Sequence, residues 1–177
     1  ELTRSFPPEK SLQAQYTYEG KNYGTHDAIG AGIYLRHVWG PLVPGAYKDP
    51  QPNHTAYAWT WIYSPKAQEV GTWIEFQNYS RSEMDLPPMQ GKWDYKESRI
   101  WVNDQEITPP VWTATHREKS NEIPLGNENC VSRKPTPVHL EKGWNKVFMK
   151  LPVGTFNTPE VRLVKWMFTF VCVTPDG

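Results

Sequence analysis

Aromatic rings set beside charged side chains are the clearest chemical signal in this chain. The segments Asn78-Tyr79-Ser80-Arg81-Ser82-Glu83 and Gly91-Lys92-Trp93-Asp94-Tyr95 place an indole or phenol within a few residues of a guanidinium or carboxylate. Arg36-His37-Val38-Trp39-Gly40 repeats the combination, and Tyr47 and Trp112 lie in further proline-rich connections. This pairing of groups suits sugars. An aromatic face packs on the apolar C–H face of a pyranose, while charged groups hydrogen-bond its hydroxyls in fixed directions. By residue type and loop position, the candidate carbohydrate-binding residues are Trp39, Tyr47, Arg81, Trp93, Asp94, Tyr95 and Trp112. The same indoles could instead plug the open ends of a fold, and spacing alone leaves both roles open.

Other chemistries have less behind them. Paired carboxylates can cleave a glycosidic bond, and Asp94 with Glu97, Asp85 with Glu83, and Asp104 with Glu106 are the available pairs. Each acid also suits a turn. No nucleophile elbow, zinc-protease or phosphate-loop pattern is present, so no catalytic residue is assigned. The five histidines are scattered, and the two cysteines, Cys130 and Cys172, form no CxxC. Cys172 lies in an apolar run and is expected to be a small buried hydrophobe, whereas Cys130 lies in a polar loop. A disulfide between them stays open. No cofactor is expected beyond a structural calcium, for which Asp27 or Asp94 with backbone carbonyls would be the ligands.

The 19 basic and 19 acidic residues cancel, which argues against nucleic acid as a partner, because phosphate recognition needs a concentrated basic surface. No apolar run reaches the roughly 18 to 20 residues of a membrane-spanning helix. The first residues carry no apolar leader, so the expectation is a processed secretory protein or a piece of a longer chain.

The elements that must hold these residues are strands. Nine Trp, nine Tyr, six Phe and 17 Pro in 177 residues favour an all-β domain with ordered loops. Residues 57–63 alternate aromatic with small or β-branched side chains, the period of a strand. Residues 70–78 continue the pattern, with Thr72, Ile74 and Phe76 on one face. Strands over 99–102 and 105–107 flank Asn103-Asp104, a two-residue turn that accepts positive φ. Residues 137–140 and 144–151 are expected to form a second hairpin through Glu141-Lys142-Gly143. Residues 33–38 and 164–173 supply further strands, the last central in its sheet. Long connections span 39–55, 79–98 and 109–135, and no segment holds a helical period free of Pro or Gly. The expected fold is a two-sheet β-sandwich, a jelly roll, over residues 1–177, with 1–27 a linker or first strand.

Two stretches carry a resemblance. Val138-His139-Leu140-Glu141-Lys142-Gly143-Trp144-Asn145-Lys146-Val147-Phe148-Met149-Lys150-Leu151 looks like the Gly-Trp-Asn hairpin of galactose-binding-like jelly-roll domains attached to secreted glycoside hydrolases. Ser98-Arg99-Ile100-Trp101-Val102-Asn103-Asp104-Gln105-Glu106-Ile107 resembles the strand–turn–strand of the same domains, with Asn-Asp where Asn-Gly is common. The wider run 57–173 is similar to the accessory domain that ends many Bacteroidetes-type family 20 β-N-acetylhexosaminidases; similar modules accompany sialidases. The resemblance implies a non-catalytic module in a secreted, periplasmic or cell-surface enzyme, with a glycan and the parent chain's catalytic domain as partners. It carries no binding residue across by motif. Three functional readings follow: a carbohydrate-binding accessory module, a structural domain packed on the catalytic domain, and a small stand-alone glycan-active enzyme.

Overall fold

The computed structural model describes residues 2–36, 43, 52–76, 89–94, 96–112, 134–155 and 166–177. Its strands are β1 (Gln15–Tyr18), β2 (Lys21–Gly24), β3 (Gly32–Arg36), β4 (Thr55–Ser64), β5 (Gln68–Phe76), β6 (Arg99–Val102), β7 (Gln105–Glu106), β8 (Thr136–Leu140), β9 (Gly143–Pro152) and β10 (Trp166–Val173). A single 3₁₀ turn, Pro7–Glu9, is the helical element among the described residues. No helix among them is long and apolar enough to cross a membrane.

Strands β3 to β10 pair antiparallel as β3 with β10, β4 with β9, β5 with β8 and β6 with β7. That nesting is a long hairpin rolled over on itself, and it gives two four-stranded sheets, β3-β10-β5-β8 and β4-β9-β6-β7. The expected jelly-roll sandwich is therefore the fold. Alternation sets its core. Ile74 and Phe76 of β5 and Val138 and Leu140 of β8 meet Ile100, Val102, Val147, Met149 and Leu151 from the opposite sheet. Trp166 of β10, fully buried, reaches across and donates its indole N–H to the Leu151 carbonyl at 3.2 Å.

One expected hairpin is absent. Residues 136–140 and 143–152 are both strands, but β8 belongs to one sheet and β9 to the other. Glu141 and Lys142 carry the chain across the sandwich as an arch. A second arch, residues 65–67, joins β4 to β5 at the same end, where Ser64 faces Gly143 and Gln68 faces Leu140. The sequence pattern of an arch matches that of a hairpin because both strands still alternate about one core. Asn145 decides the matter. Its fully buried amide accepts from the Glu141 N–H (2.8 Å) and donates to the carbonyls of Glu141 (2.9 Å) and Gly143 (3.1 Å). It also donates to Ile62 on β4 (3.4 Å) and accepts from the Asn103 amide in the β6–β7 turn (2.7 Å). Asn103 and Asp104 take φ of +50° and +66°, as a two-residue hairpin turn requires.

Residues 2–24 neither pair with the sandwich nor trail away from it. They fold as a strap with its own β1–β2 hairpin, turning at Glu19-Gly20, and lie over the outer face of β4 and β9. Glu9 is the anchor. Its carboxylate accepts from the Tyr57 hydroxyl and from Lys150 Nζ (2.9 Å), and the same ammonium donates to the Arg4 carbonyl at 2.6 Å. Phe6 packs edge-on to Tyr18 and Tyr57.

Two outcomes test this account. Asn145→Ala removes a fully buried carboxamide together with the hydrogen bonds it makes to the arch, to Ile62 and to Asn103, and is expected to lower unfolding free energy by about 2 to 4 kcal/mol. A urea denaturation loss under about 1 kcal/mol would remove Asn145 from the centre of the fold. The Glu9 carboxyl would be raised by burial, but hydrogen bonds from Tyr57, Lys150 and Ser5 outweigh that and hold it below its ordinary 4.5. Its stabilising contribution is thus complete above that unfolded value and is lost as pH falls through the lower folded value. The stability gap between the wild type and Glu9→Gln should therefore narrow as denaturation is repeated at pH values descending from 5. A gap independent of pH would contradict the pairing.

Candidate functional site

Alternation along β4 turns Ala56, Ala58 and Ile62 toward the core and Tyr57, Trp59, Trp61 and Tyr63 to the outside. The register then fixes their neighbours on β9: Tyr63 opposite Trp144, Trp61 opposite Lys146, Trp59 opposite Phe148 and Tyr57 opposite Lys150. On β6, Trp101 sits beside Phe148 and Arg99 beside Lys150. The outer face of this sheet is an aromatic surface with charged residues at its margins.

The strap covers one end of that face and leaves the other open. At the covered end Tyr57 stacks on Phe148, with centroids 5.5 Å apart, and Lys150 is 2% exposed. At the open end Trp61 is 53%, Tyr63 57% and Trp144 67% exposed. Tyr63 and Trp144 meet edge to face at 5.4 Å, which fixes both rings and keeps their outward surfaces free of each other. Lys146 reaches Asp104 at 2.5 Å beside them. Further along, Arg99 lies 4.8 Å over the Trp101 ring and forks onto Glu106, with its Nε 2.7 Å from one carboxylate oxygen. The hydrogen bond from Arg99 holds the Glu106 carboxyl below its usual range, so this acid stays ionised. Exposed rigid rings flanked by fixed donors and acceptors can stack on a sugar ring and bind its hydroxyls.

The residues singled out from the sequence fare differently. Trp93 is buried, packs edge-on to Phe76 at 5.7 Å and donates its indole N–H to the Ile107 carbonyl at 3.2 Å. Trp112 is also buried and donates to the Lys92 carbonyl at 2.9 Å. Neither stands out as an exposed ring, although Trp93 still borders a small pocket beside β6 and β7. They anchor the loop they belong to, because a large apolar ring gains more from burial there than from water. Asp94 is buried too, and its carboxylate turns back on its own loop, accepting from the N–H groups of Lys96 (2.7 Å) and Ser98 (3.1 Å) and from the Ser98 hydroxyl (2.6 Å). Burial raises its carboxyl despite these bonds. Both of its oxygens are thus engaged within its own loop. Asp27 is exposed, and no group of three His, Cys, Asp or Glu able to hold a metal exists among the described residues. Trp39, Tyr47, Arg81 and Tyr95 lie outside the described residues, as do Cys130 and the Glu83–Asp85 pair. Cys172 is exposed rather than buried.

Trp61, Tyr63 and Trp144 escaped selection because they sit on strands rather than loops. Their signal was nonetheless in the alternation: aromatics on one face of 57–63 oppose alanine and isoleucine on the other, and the smaller residues face inward. Compared with protein-family models, characterised proteins and solved structures, the chain matches none.

The burial of Trp93 carries a measurable consequence. Trp93→Ala should lower unfolding free energy by about 3 to 5 kcal/mol, as for other buried large aromatics. Equilibrium denaturation of the variant decides it, and a change within about 0.5 kcal/mol would mean that the indole is a surface group after all.

Proposed function

We propose that this chain is a non-catalytic carbohydrate-binding module accessory to a secreted glycan-degrading glycoside hydrolase, and that it binds glycan on the open aromatic end of the β4-β9-β6-β7 face. The observation that carries the reading is the contiguous exposure of Trp61, Tyr63 and Trp144 on regular strands, where no core requires them. An isolated exposed aromatic needs no explanation, but three rings held in register beside Lys146 and Asp104 form a patch of the kind that marks a binding surface. The ionised Glu106 suits accepting bonds from hydroxyls and does not suit delivering a proton to a leaving group. The resemblance of residues 98–107 and 138–151 to galactose-binding-like accessory domains supports the same class, and the hexosaminidase-type parent is part of this proposal.

A ring stacked on these aromatics with a few solvent-competed hydrogen bonds should bind at millimolar to high-micromolar strength, about −4 to −6 kcal/mol. Titration calorimetry against a panel of neutral oligosaccharides is expected to show this. Trp144→Ala and Tyr63→Ala should each weaken binding at least tenfold while moving the denaturation midpoint little. The isolated chain should not hydrolyse aryl glycosides. Wild-type protein that binds no glycan, yet associates through this face with a separately produced catalytic domain of its parent, would replace the reading with a purely structural one.

A further inference from the structure

The charged end of the same face holds a second feature. A pocket of about 340 Å³ lies between the turn that follows Gly91, strands β6 and β7, and the strap residues Leu2 and Thr3. Its polar groups are Lys92, Glu97, Arg99, Glu106 and Lys150, and Trp93 and Pro109 give it an apolar side. It is separated from Trp144 by six residues of β9, about 20 Å along the strand.

Two observations mark the pocket as built. Glu97 holds φ of +63°, a left-handed conformation uncommon for a non-glycine residue. The buried Asp94 carboxylate holds it by accepting from the N–H groups on both sides, those of Lys96 and Ser98. The turn sets Glu97 at the pocket wall, where Lys92 Nζ meets its carboxylate at 2.6 Å. The second observation is the charge pattern. Each cation in the wall has a carboxylate partner: Lys92 has Glu97, Arg99 has Glu106, and Lys150 has Glu9. The first two pairs keep between a third and a half of their side-chain surface in solvent.

Such a wall is poorly suited to an ion. An anion drawn to Lys92 or Arg99 would face Glu97 and Glu106, and a cation would meet the reverse. A neutral polyol uses both signs, because an ammonium keeps further N–H donors and a carboxylate keeps further lone pairs after one ion pair is made. The volume is at the small end of the roughly 300 to 1,000 Å³ of ligand pockets, enough for one ring and not for a chain.

We infer that this pocket is a subsite for a single neutral pyranose, bound through its hydroxyls by the Lys92–Glu97 and Arg99–Glu106 pairs, with Asp94 as the residue that positions Glu97. The inference rests on the glycan-binding reading above. The probes are methyl β-D-galactopyranoside, methyl N-acetyl-β-D-glucosaminide and methyl β-D-glucuronide, titrated into ¹⁵N-labelled full chain. At least one neutral glycoside should shift the Gly91 amide and Trp93 indole signals with millimolar affinity, and the glucuronide should bind at least fivefold more weakly. Glu97→Gln should weaken the neutral glycoside at least fivefold. Glu97→Gly, which relieves the left-handed strain, should raise the denaturation midpoint and still lose the binding, a combination that a structural role for Glu97 does not produce. Oligosaccharide binding in the wild type that Glu97→Gln leaves unchanged, or tighter binding of the glucuronide, overturns the subsite alone. Absence of binding by every glycoside and oligosaccharide overturns both the subsite and the function it rests on.

Discussion

The side-chain amide of Asn145 is the point on which the sandwich turns. A carboxamide supplies two donors and an acceptor with two lone pairs, and here it satisfies backbone groups of the β8–β9 arch, of strand β4, and the side chain of the β6–β7 turn. A chain that crosses between sheets leaves backbone groups facing an apolar interior, where each one left unpaired costs about 1 to 3 kcal/mol. The arch is tolerable because one buried residue meets that need at several points. The Lys146 N–H, paired with the Asn103 carboxamide at 3.0 Å, extends the lock into the neighbouring hairpin.

Everything on the outer face of β4 and β9 follows from that arch. Had β8 and β9 paired as a hairpin, β9 would not lie beside β4 in its observed register, and Trp144 would not stand opposite Tyr63. Because Asn145 points inward, its neighbours Trp144 and Lys146 must point out. The face is then divided by the strap. Lys150 is nearly excluded from water and retains its place through Glu9 and the Arg4 carbonyl. Removing one partner of such a pair leaves a buried charge unmatched, a larger loss than the pair's own net gain. Electrostatics thus sets which half of the aromatic surface is covered and which half is free.

Asp94 shows a related economy at the other margin. Its carboxylate, buried among N–H donors, does no work on a ligand directly. It holds a turn in a conformation that would otherwise be disfavoured, and so sets the direction of Glu97. A buried acid that shapes a loop and a partly buried acid that the loop presents are easily confused in a sequence, where they stand three residues apart.

Local pattern determined a good deal by itself. The period of two over 57–63 and 70–76, the Asn103-Asp104 turn and the apolar run 166–173 each follow from side-chain chemistry within a few residues, and each is a strand or turn in the structure. Content in strand and the sandwich class were legible for the same reason. What local pattern did not contain was which strands share a sheet, since alternation about a core is identical in a hairpin and an arch. Nor did it contain whether an aromatic is covered: Trp93 lies in a loop yet is buried against Phe76, and Trp144 lies in a strand yet stands in solvent. Exposure depends on residues distant in the chain, such as Glu9 reaching Lys150 across 141 positions. Only the packed tertiary structure decides that, because burial belongs to the neighbours a side chain acquires and not to the side chain itself.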